Sequence, residues 1–313
     1  MLRKEAKAVP GVLRAMETAV LINRGGGSLG ERGSVQRSDI TDALREAGME
    51  AEPQYLEGSE IREAAKAAVT AGARVVVAGG GDGTISCVAG VLAGTDTALG
   101  VLPLGTLNHF AGDLCIPTDL KRAAALIAAG KSRTVDVAEV NGRTFINNSA
   151  IGLYPLMVLD REAQQAKLGR SKRFAMAVAA ARTLARFSSR RLTLTVNDRS
   201  AQVDTPLLFV GNNAYTIELP DAGKREALDR GELFVLVLRR KSRFGFCVAS
   251  LRALFGRTRK DDVVRLEHVE RLRVDSLHSA LAVSLDGETV RLKPPLDYRI
   301  RKAALKVIAP RNM

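Results

Sequence analysis

The segment Val75-Val76-Val77-Ala78-Gly79-Gly80-Gly81-Asp82-Gly83-Thr84 decides the fold of this chain, together with ISCVAGVLAG (85–94), which follows it. Its first part is typical of a buried β-strand, its middle of a tight turn and its last part of a helix. Glycines let the backbone approach a phosphate closely, and a helix amino end presents free N–H donors. The pattern therefore predicts a phosphate cradle over 79–84, with Thr84 capping the helix or touching phosphate.

Asp82 is an unexpected residue in such a cradle, because a carboxylate repels phosphate unless a metal ion lies between them. Its presence indicates binding of a Mg²⁺–nucleotide complex. The alternative is a plain strand–helix turn with Asp82 as the N-cap of the helix. Four glycines in the five residues 79–83 disfavour that alternative.

Strands and helices alternate around this segment. Strands are predicted at 17–23, 74–80 and 97–104, and helices at 38–47, 59–71 and 118–130, the last with Thr118 as N-cap. Alternation at this spacing predicts parallel βαβ units in a doubly wound sheet. We therefore expect a nucleotide-binding α/β domain over 1–132.

The pattern changes near residue 133, where short strand candidates follow one another. Asn141-Gly142 is a strong hairpin signal between the first two. The prediction is a mainly antiparallel β-sandwich domain over 133–313, interrupted by basic helical stretches at about 160–188 and 243–256. A last strand is predicted at 304–310, and the sequence leaves open which of the two domains it packs on. The strands are predicted at 133–139, 143–149, 191–197, 202–210, 232–239, 263–267, 270–275, 280–285 and 289–292.

Composition excludes several classes of protein. The chain has 313 residues, of which 46% are apolar and 26% charged, so it can build the cores of two folded domains. Three scattered cysteines argue against a disulfide framework or a cysteine-ligated zinc site, and favour a reducing cytoplasm. No run of eighteen apolar residues is present. A homodimer is the default expectation for the oligomeric state.

The net charge of +13 is concentrated in two stretches. Residues 161–200 carry a net charge of +8, and residues 239–260 contain eight Lys or Arg and no acidic residue. Such stretches attract nucleic acid or an anionic membrane surface, unless they are only solvated helix faces. Aromatic residues make up only 4% of the chain and Trp is absent, which argues against nucleic acid.

The Gly-Gly-Asp-Gly-Thr motif at 80–84 resembles that of the diacylglycerol kinase catalytic-domain family, which includes sphingosine kinases and bacterial lipid kinases, and more distantly that of NAD kinases. Leu21-Ile22-Asn23, followed by RGGGS (24–28), looks like the family's nucleotide loop after the first strand. PLGTLNHFA (103–111) is closely similar to the family's Pro-x-Gly-Thr-x-Asn-Asp-Phe-Ala. Leu285-Asp286-Gly287-Glu288 resembles its carboxyl-terminal Asp-Gly-Glu, although Asp286-Gly287 alone is equally typical of a hairpin turn.

The resemblance implies an ATP-dependent lipid kinase with a β-rich lipid-substrate domain and with ATP and Mg²⁺ as cofactors. It implies that Glu288 is the general base, and that Asp286 and Asp82 orient metal, water and substrate. The alternatives are an NAD kinase-like enzyme and a non-catalytic nucleotide- or lipid-binding protein that kept the fold. The implied nucleotide-binding residues are Asn23, Gly79, Gly80, Gly81, Asp82, Gly83, Thr84, Gly105, Thr106 and Asn108.

The chain departs from the family pattern at three positions. His109 and Arg230 stand where some bacterial members hold a structural Mg²⁺ through acids, and Cys87 replaces a frequent glutamate. Arg cannot bind a cation, and neutral His is a poor Mg²⁺ ligand. We expect no structural Mg²⁺ held by protein, and Mg²⁺ to arrive with ATP at Asp82.

The stretch around 239–260 is a candidate membrane-binding segment. Apolar residues at helical spacing are flanked there by cations, which suits an anionic lipid surface unless the apolar stripe is core. The expected location is the cytoplasm, peripherally at the inner membrane. The membrane-facing candidates are Arg239, Arg240, Lys241 and Arg243.

Overall fold

The computed structural model describes residues 17–25, 29, 35–152, 189–216, 225, 227–239 and 263–310. Within it the chain divides into two units. The first unit runs to Val135 and resumes at Ala304, and the second is Asp136–Ala303. The predicted basic helices at 160–188 and 243–256 lie outside the described residues, apart from the termini of the charged stretches.

The first unit alternates strands with helices, as predicted for a doubly wound sheet. It also contains a short strand at 53–56 that the sequence analysis missed. The elements are β1 (Thr18–Asn23), α1 (Arg37–Glu46), β2 (Pro53–Leu56), α2 (Ile61–Thr70), β3 (Val75–Gly80), α3 (Asp82–Leu92), β4 (Ala98–Pro103), α4 (His109–Asp113) and α5 (Leu120–Ala128).

The strands of this unit form a parallel sheet in the order β2-β1-β3-β4. From β1 the chain moves outward to β2 at one edge of the sheet, and from β3 it moves outward to β4 in the opposite direction. The carboxyl ends of β1 and β3 therefore flank the point where the strand order reverses, which is where ligands bind in open α/β sheets.

Helices cover this sheet, and β3 and β4 are therefore buried along their whole length. Val20, Val77 and Leu102 share one apolar cluster with Leu44 of α1 and Ile127 of α5. Helices α2 and α3 pack against each other and against the strands. Strands buried on both faces read as continuous apolar runs, which explains why the sequence revealed them.

The second unit is built from antiparallel strands, of which β5 begins and β16 ends in residues of the first unit. Its elements are β5 (Ser132–Val140), β6 (Arg143–Phe145), β7 (Asn148–Gly152), β8 (Arg190–Val196), β9 (Arg199–Thr205), β10 (Leu207–Asn212), β11 (Leu233–Leu238), β12 (Val263–Val269), β13 (Arg271–Ser276), β14 (Leu281–Leu285), β15 (Glu288–Leu292) and β16 (Leu296–Ile308).

These strands form a sandwich. One sheet has the order β12-β11-β10-β7-β14-β15, and the other contains β16-β13-β8-β9, with β5 paired to β16 and β6. Side chains of both sheets meet in one apolar cluster that includes Val210, Val283, Leu194, Val274 and Tyr298. The predicted fold class, a doubly wound α/β unit with a mainly antiparallel β-sandwich, is confirmed.

Strand β16 is longer than predicted. The predicted start is residue 304, whereas the strand begins at Leu296, where buried Leu296 and Tyr298 alternate with exposed Asp297. The segment from Ala304 onward belongs to the first unit, where Val307 pairs with Leu99 of β4 in parallel.

The structure divides each of two predicted strands into two separate strands. The run at 143–149 is interrupted at Ile146-Asn147, and the run at 202–210 is interrupted at Pro206. Proline has no N–H to donate to a strand ladder, and β9 and β10 on its two sides belong to different sheets.

One predicted helix cap and one predicted helix start are also corrected. The N-cap of α5 is Asp119, whose carboxylate accepts from the Arg122 N–H, and not Thr118. The N-cap of α1 is Gln36. Within the described residues, no helix combines the length and hydropathy needed to cross a membrane.

Tyr298 is the largest fully buried side chain of the sandwich core. Its hydroxyl lies 3.0 Å from the Ser149 Oγ, and its ring packs edge-on against Phe145 with the centroids 6.3 Å apart. Burial raises the pKa of Tyr298 well above its ordinary value of 10.0, because the phenolate would lose its hydration.

This burial predicts a specific loss of stability at high pH. Above about pH 10 the unfolded chain releases the Tyr298 proton while the folded chain keeps it, so the free energy of unfolding falls by roughly 1.4 kcal/mol per pH unit. Tyr298→Phe should cost about 1 kcal/mol at pH 8 and should lack this slope. Urea unfolding of both proteins between pH 8 and 11 tests the expectation, and equal slopes would contradict it.

Candidate functional site

The glycine-rich segment joins β3 to α3 as the sequence predicted. Gly79 and Gly80 end the strand, Gly81 is the N-cap of α3, and the helix begins at Asp82. The first intrahelical bond runs from the Ile85 N–H to the Gly81 carbonyl, at 3.1 Å. The N–H groups before it lie at the positive end of the helix dipole, which favours an anion there.

The loops after β3 and β4 touch each other through glycines. A Cβ atom on Gly105 would overlap the Gly81 Cα, and a Cβ on Gly80 would lie 2.6 Å from the Thr84 Cβ. Only glycine fits at Gly80 and Gly105 without displacing a neighbour. This close packing brings the two predicted phosphate-binding loops together at one edge of the sheet.

Asn108 fixes the shape of the second loop and is not free to bind a nucleotide through its whole side chain. Its Oδ1 accepts from the Gly105 N–H at 3.0 Å, and its Nδ2 donates to the Gly105 carbonyl at 2.8 Å. Its backbone is left-handed, with φ at 50°. Between these two residues, Thr106 and Leu107 are exposed.

The carboxylate of Asp82 connects the two loops. Its Oδ2 accepts from the His109 N–H and its Oδ1 from the Phe110 N–H, both at 3.1 Å. Asp82 therefore binds the amino end of α4, and Gly81 rather than Asp82 is the N-cap of its own helix. A carboxylate has about four acceptor positions, so two hydrogen bonds leave capacity for a cation.

Asn23 attaches the end of β1 to the same edge. Its Nδ2 donates to the Thr84 Oγ1 at 2.8 Å, and its Oδ1 accepts from the Gly25 N–H at 2.9 Å. Thr84 is buried and carries this bond in place of capping α3. The structure thus brings together the predicted nucleotide-binding residues of three loops, at the carboxyl ends of β1, β3 and β4.

The second predicted region is the turn between β14 and β15. Asp286 and Gly287 have φ angles of 47° and 94°, and Leu285 pairs with Glu288 across them. This is a two-residue hairpin with positive φ at both positions, as Asp-Gly favours. The interpretation of Asp286-Gly287 as a hairpin turn is therefore correct. The turn places Glu288 at the exposed start of β15.

Asp286 does more than form the turn. Its Oδ2 accepts from the Ile146 N–H at 2.8 Å, and its Oδ1 accepts from the N–H groups of Asn147 and Asn148 at 2.8 and 2.9 Å. In return, the Asp286 N–H donates to the Asn148 carbonyl at 2.9 Å. Four hydrogen bonds thus attach the turn to residues 146–148.

Several residues that support residues 146–148 escaped the sequence analysis. Arg225 is 5% exposed and contacts the Ile146 carbonyl and the Asn147 side chain, while Tyr215 and Asn212 bind the Asn147 carbonyl. The polar run Asn147-Asn148 inside an apolar strand region was a signal that could have been noticed. Arg225 stands between Lys224 and Glu226 in the sequence, so it gives no such signal.

Arg230 is placed by its backbone. Its N–H donates to the Asn213 Oδ1 at 3.0 Å, and the next N–H, that of Gly231, donates to the Asp136 Oδ2 at 2.7 Å. Buried Asp136 also accepts from the Ala303 N–H. Across the described ranges, no group of three or more His, Cys, Asp or Glu side chains could hold a metal ion.

Two family models match consecutive parts of the chain. The diacylglycerol kinase catalytic domain matches residues 17–140, which contain the glycine cradle. The YegS C-terminal NAD kinase beta sandwich-like domain matches residues 158–309, which contain the Asp286 turn. The chain therefore combines a diacylglycerol kinase catalytic domain with a YegS-type C-terminal domain.

Curated relatives from this family carry the name "Probable lipid kinase YegS-like". The protein from Cronobacter sakazakii is 40% identical over 127 residues, which cover 39% of this chain and 40% of the relative. The protein from Pseudomonas syringae pv. tomato is 37% identical over 140 residues, 43% of either chain. The matches thus span about two fifths of the length of these relatives.

A solved diacylglycerol kinase structure from Bacillus anthracis str. Sterne has the same fold. It superposes with a TM-score of 0.67 at 17% identity, covering 95% of this chain and 97% of the other.

Of the membrane-facing candidates, Arg239 follows β11 and is exposed, whereas Arg240, Lys241 and Arg243 lie outside the described residues.

The contact between Gly105 and Gly81 predicts the outcome of a single substitution. Gly105→Ala should reduce Mg-ATP affinity by more than tenfold, because the added methyl group forces the two predicted phosphate-binding loops apart. Gly112→Ala on α4 is the matched control, since a Cβ there meets nothing within 4 Å. Calorimetric titration with Mg-ATP checks both variants, and unchanged affinity in Gly105→Ala would remove the cradle assignment.

Proposed function

We propose that this protein is an ATP-dependent lipid kinase that transfers the γ-phosphoryl group to a hydroxyl of a diacylglycerol-like lipid. The observation that carries the proposal is the glycine cradle, in which Asn23, Asp82 and the close approach of Gly105 to Gly81 join three loops. Family membership and the names of the curated relatives support a lipid acceptor. The anchored turn before Glu288 supports a base for that acceptor.

On the nucleotide side, the chain has groups suited to phosphate. The amino end of α3 offers N–H donors to phosphate oxygens, and the absence of side chains at Gly80 and Gly81 leaves room for close approach. Mg²⁺ bound with ATP would neutralise charge on the phosphates. The carboxylate of Asp82, held by two N–H groups, has acceptor capacity left for that ion.

On the acceptor side, Glu288 takes the proton of the attacking hydroxyl. Its carboxylate is exposed at the first position of β15, directly after a rigid two-residue turn. A general base must reach hydrogen-bond distance of the proton it removes, so a fixed backbone at this position favours catalysis. Asp286 fixes that backbone through its bonds to residues 146–148.

One assay tests the proposed reaction against its alternatives. Radiolabelled ATP is supplied together with extracted lipids, NAD and DNA as competing acceptors. Label in the lipid fraction supports the lipid kinase, and label in NADP indicates an NAD kinase. Binding of ATP with no transfer indicates a non-catalytic nucleotide- or lipid-binding protein.

The two acidic residues of the turn should fail in different ways. Glu288→Gln should keep the fold and the affinity for Mg-ATP but lower the rate about 10²–10⁴-fold, because an amide cannot accept the proton. Asp286→Asn should also lower the melting temperature, since its amide group would face N–H donors. Glu267→Gln, an exposed change on β12, is the matched control.

Kinetics and thermal melts of all three variants distinguish these roles. Lipid phosphorylation by Glu288→Gln at the rate of the unmodified protein would rule out Glu288 as the base. A melting temperature unchanged in Asp286→Asn would show that the bonds to residues 146–148 contribute little.

We also propose that the protein acts in the cytoplasm, at the anionic surface of the inner membrane. The basic sequence at 239–260 supports this, because each nearby cation contributes roughly 1 kcal/mol to binding such a surface. Replacing Arg239, Arg240, Lys241 and Arg243 by Gln should weaken binding to anionic vesicles without changing ATP affinity. Vesicle sedimentation at increasing salt measures this, and equal binding to zwitterionic vesicles would contradict it.

A further inference from the structure

A buried cation lies behind the peptide groups that hold Asp286. The Nη1 of Arg225 donates to the Ile146 carbonyl at 2.6 Å, and its Nη2 donates to the Asn147 Oδ1 at 2.7 Å. Arg225 is 5% exposed, and its guanidinium centre lies 5.4 Å from the centroid of the Tyr215 ring. A buried guanidinium is expensive unless its surroundings make use of its charge.

The bond from Arg225 continues through one peptide group to Asp286. The Ile146 carbonyl that accepts from Arg225 shares its peptide group with the Asn147 N–H. That N–H donates to the Asp286 Oδ1 at 2.8 Å. Hydrogen bonds in such a chain polarise one another, so a cation at the carbonyl strengthens the N–H donor at the other end.

A second chain runs beside the first. Tyr215 donates its hydroxyl to the Asn147 carbonyl at 2.9 Å, and the Asn212 N–H donates to the same oxygen at 2.8 Å. This carbonyl shares its peptide group with the Asn148 N–H, which donates to the Asp286 Oδ1 at 2.9 Å. Two consecutive peptide groups therefore receive donors at the oxygen and donate to one carboxylate.

We infer that Arg225 and Tyr215 are positioning residues that fix the Asp286-Gly287 turn, and with it Glu288, through two peptide groups of residues 146–148. Neither residue touches the lipid that receives the phosphoryl group. Both strengthen the donors that bind Asp286, and Asp286 sets the backbone from which Glu288 extends. The inference rests on the proposed function of Glu288 for its kinetic consequence, but its structural part can be tested without activity.

The structural part predicts a separate signature for each donor. In the full-length protein labelled with ¹⁵N-asparagine, Arg225→Lys and Arg225→Met should move the Asn147 amide proton upfield. Tyr215→Phe should move the Asn148 amide proton upfield and leave that of Asn147 nearly unchanged. A side chain that only fills space would not give this residue-by-residue pattern.

The kinetic part predicts a loss of turnover without a loss of nucleotide binding. Arg225→Met should lower kcat about tenfold or more with KM for ATP unchanged. Displacing Glu288 raises the barrier to phosphoryl transfer and leaves nucleotide binding unaffected. Arg225→Lys should recover part of kcat, because an ammonium can reach one of the two acceptors. Arg299→Gln, which removes an ion pair with Glu139 in the same unit, is the control expected to retain kcat.

The outcomes separate this inference from the proposed function. If the unmodified protein phosphorylates no lipid while the amide protons shift as expected, the function is wrong and the positioning role stands. If both amide protons keep their shifts in folded variants, or if Arg225→Met keeps its kcat, the positioning role is wrong. If Arg225 variants do not fold, the isosteric Tyr215→Phe still decides through the Asn148 amide proton.

Discussion

The hydrogen bond from a backbone N–H to a carboxylate holds both candidate functional regions of this protein in place. Asp82 accepts two such bonds from the start of α4, and Asp286 accepts three from residues 146–148. Loops carry few apolar contacts, so their shape depends on where their backbone groups are satisfied. A charged acceptor makes these bonds stronger than neutral ones, and each anchors a loop that carries the proposed chemistry.

The two anchors act on different kinds of structure. In the first unit, parallel strands bring the ends of β1, β3 and β4 to one edge, and glycines let the loops touch there. In the second unit, a hairpin turn is attached to a neighbouring strand start. The first arrangement follows from the strand order, whereas the second depends on a buried polar network around Arg225 and Asn147. Such networks are costly unless every member is paired, which makes the second region more sensitive to single substitutions.

Much of the fold could be predicted from sequence, because buried parallel strands and glycine-ended helices leave strong local patterns. The cradle over 79–84 and the turn at Asp286-Gly287 were visible for the same reason. The division of 202–210 at Pro206 and the early start of β16 at Leu296 were missed, since both depend on pairing with strands distant in sequence. The roles of Asn147, Tyr215 and Arg225 were invisible for that reason too: they arise only when residues 146–148 meet the turn.

The departures at His109 and Arg230 become intelligible through the backbone. At both positions the bond that shapes the loop is made by the main-chain N–H, to the Asp82 carboxylate at 109 and to the Asn213 side chain at 230. Any residue except proline supplies that N–H, so an acid can be exchanged for His or Arg without disturbing the loop. The hydrogen bonds that shape the two loops at 109 and 230 therefore do not require an acidic side chain at either position.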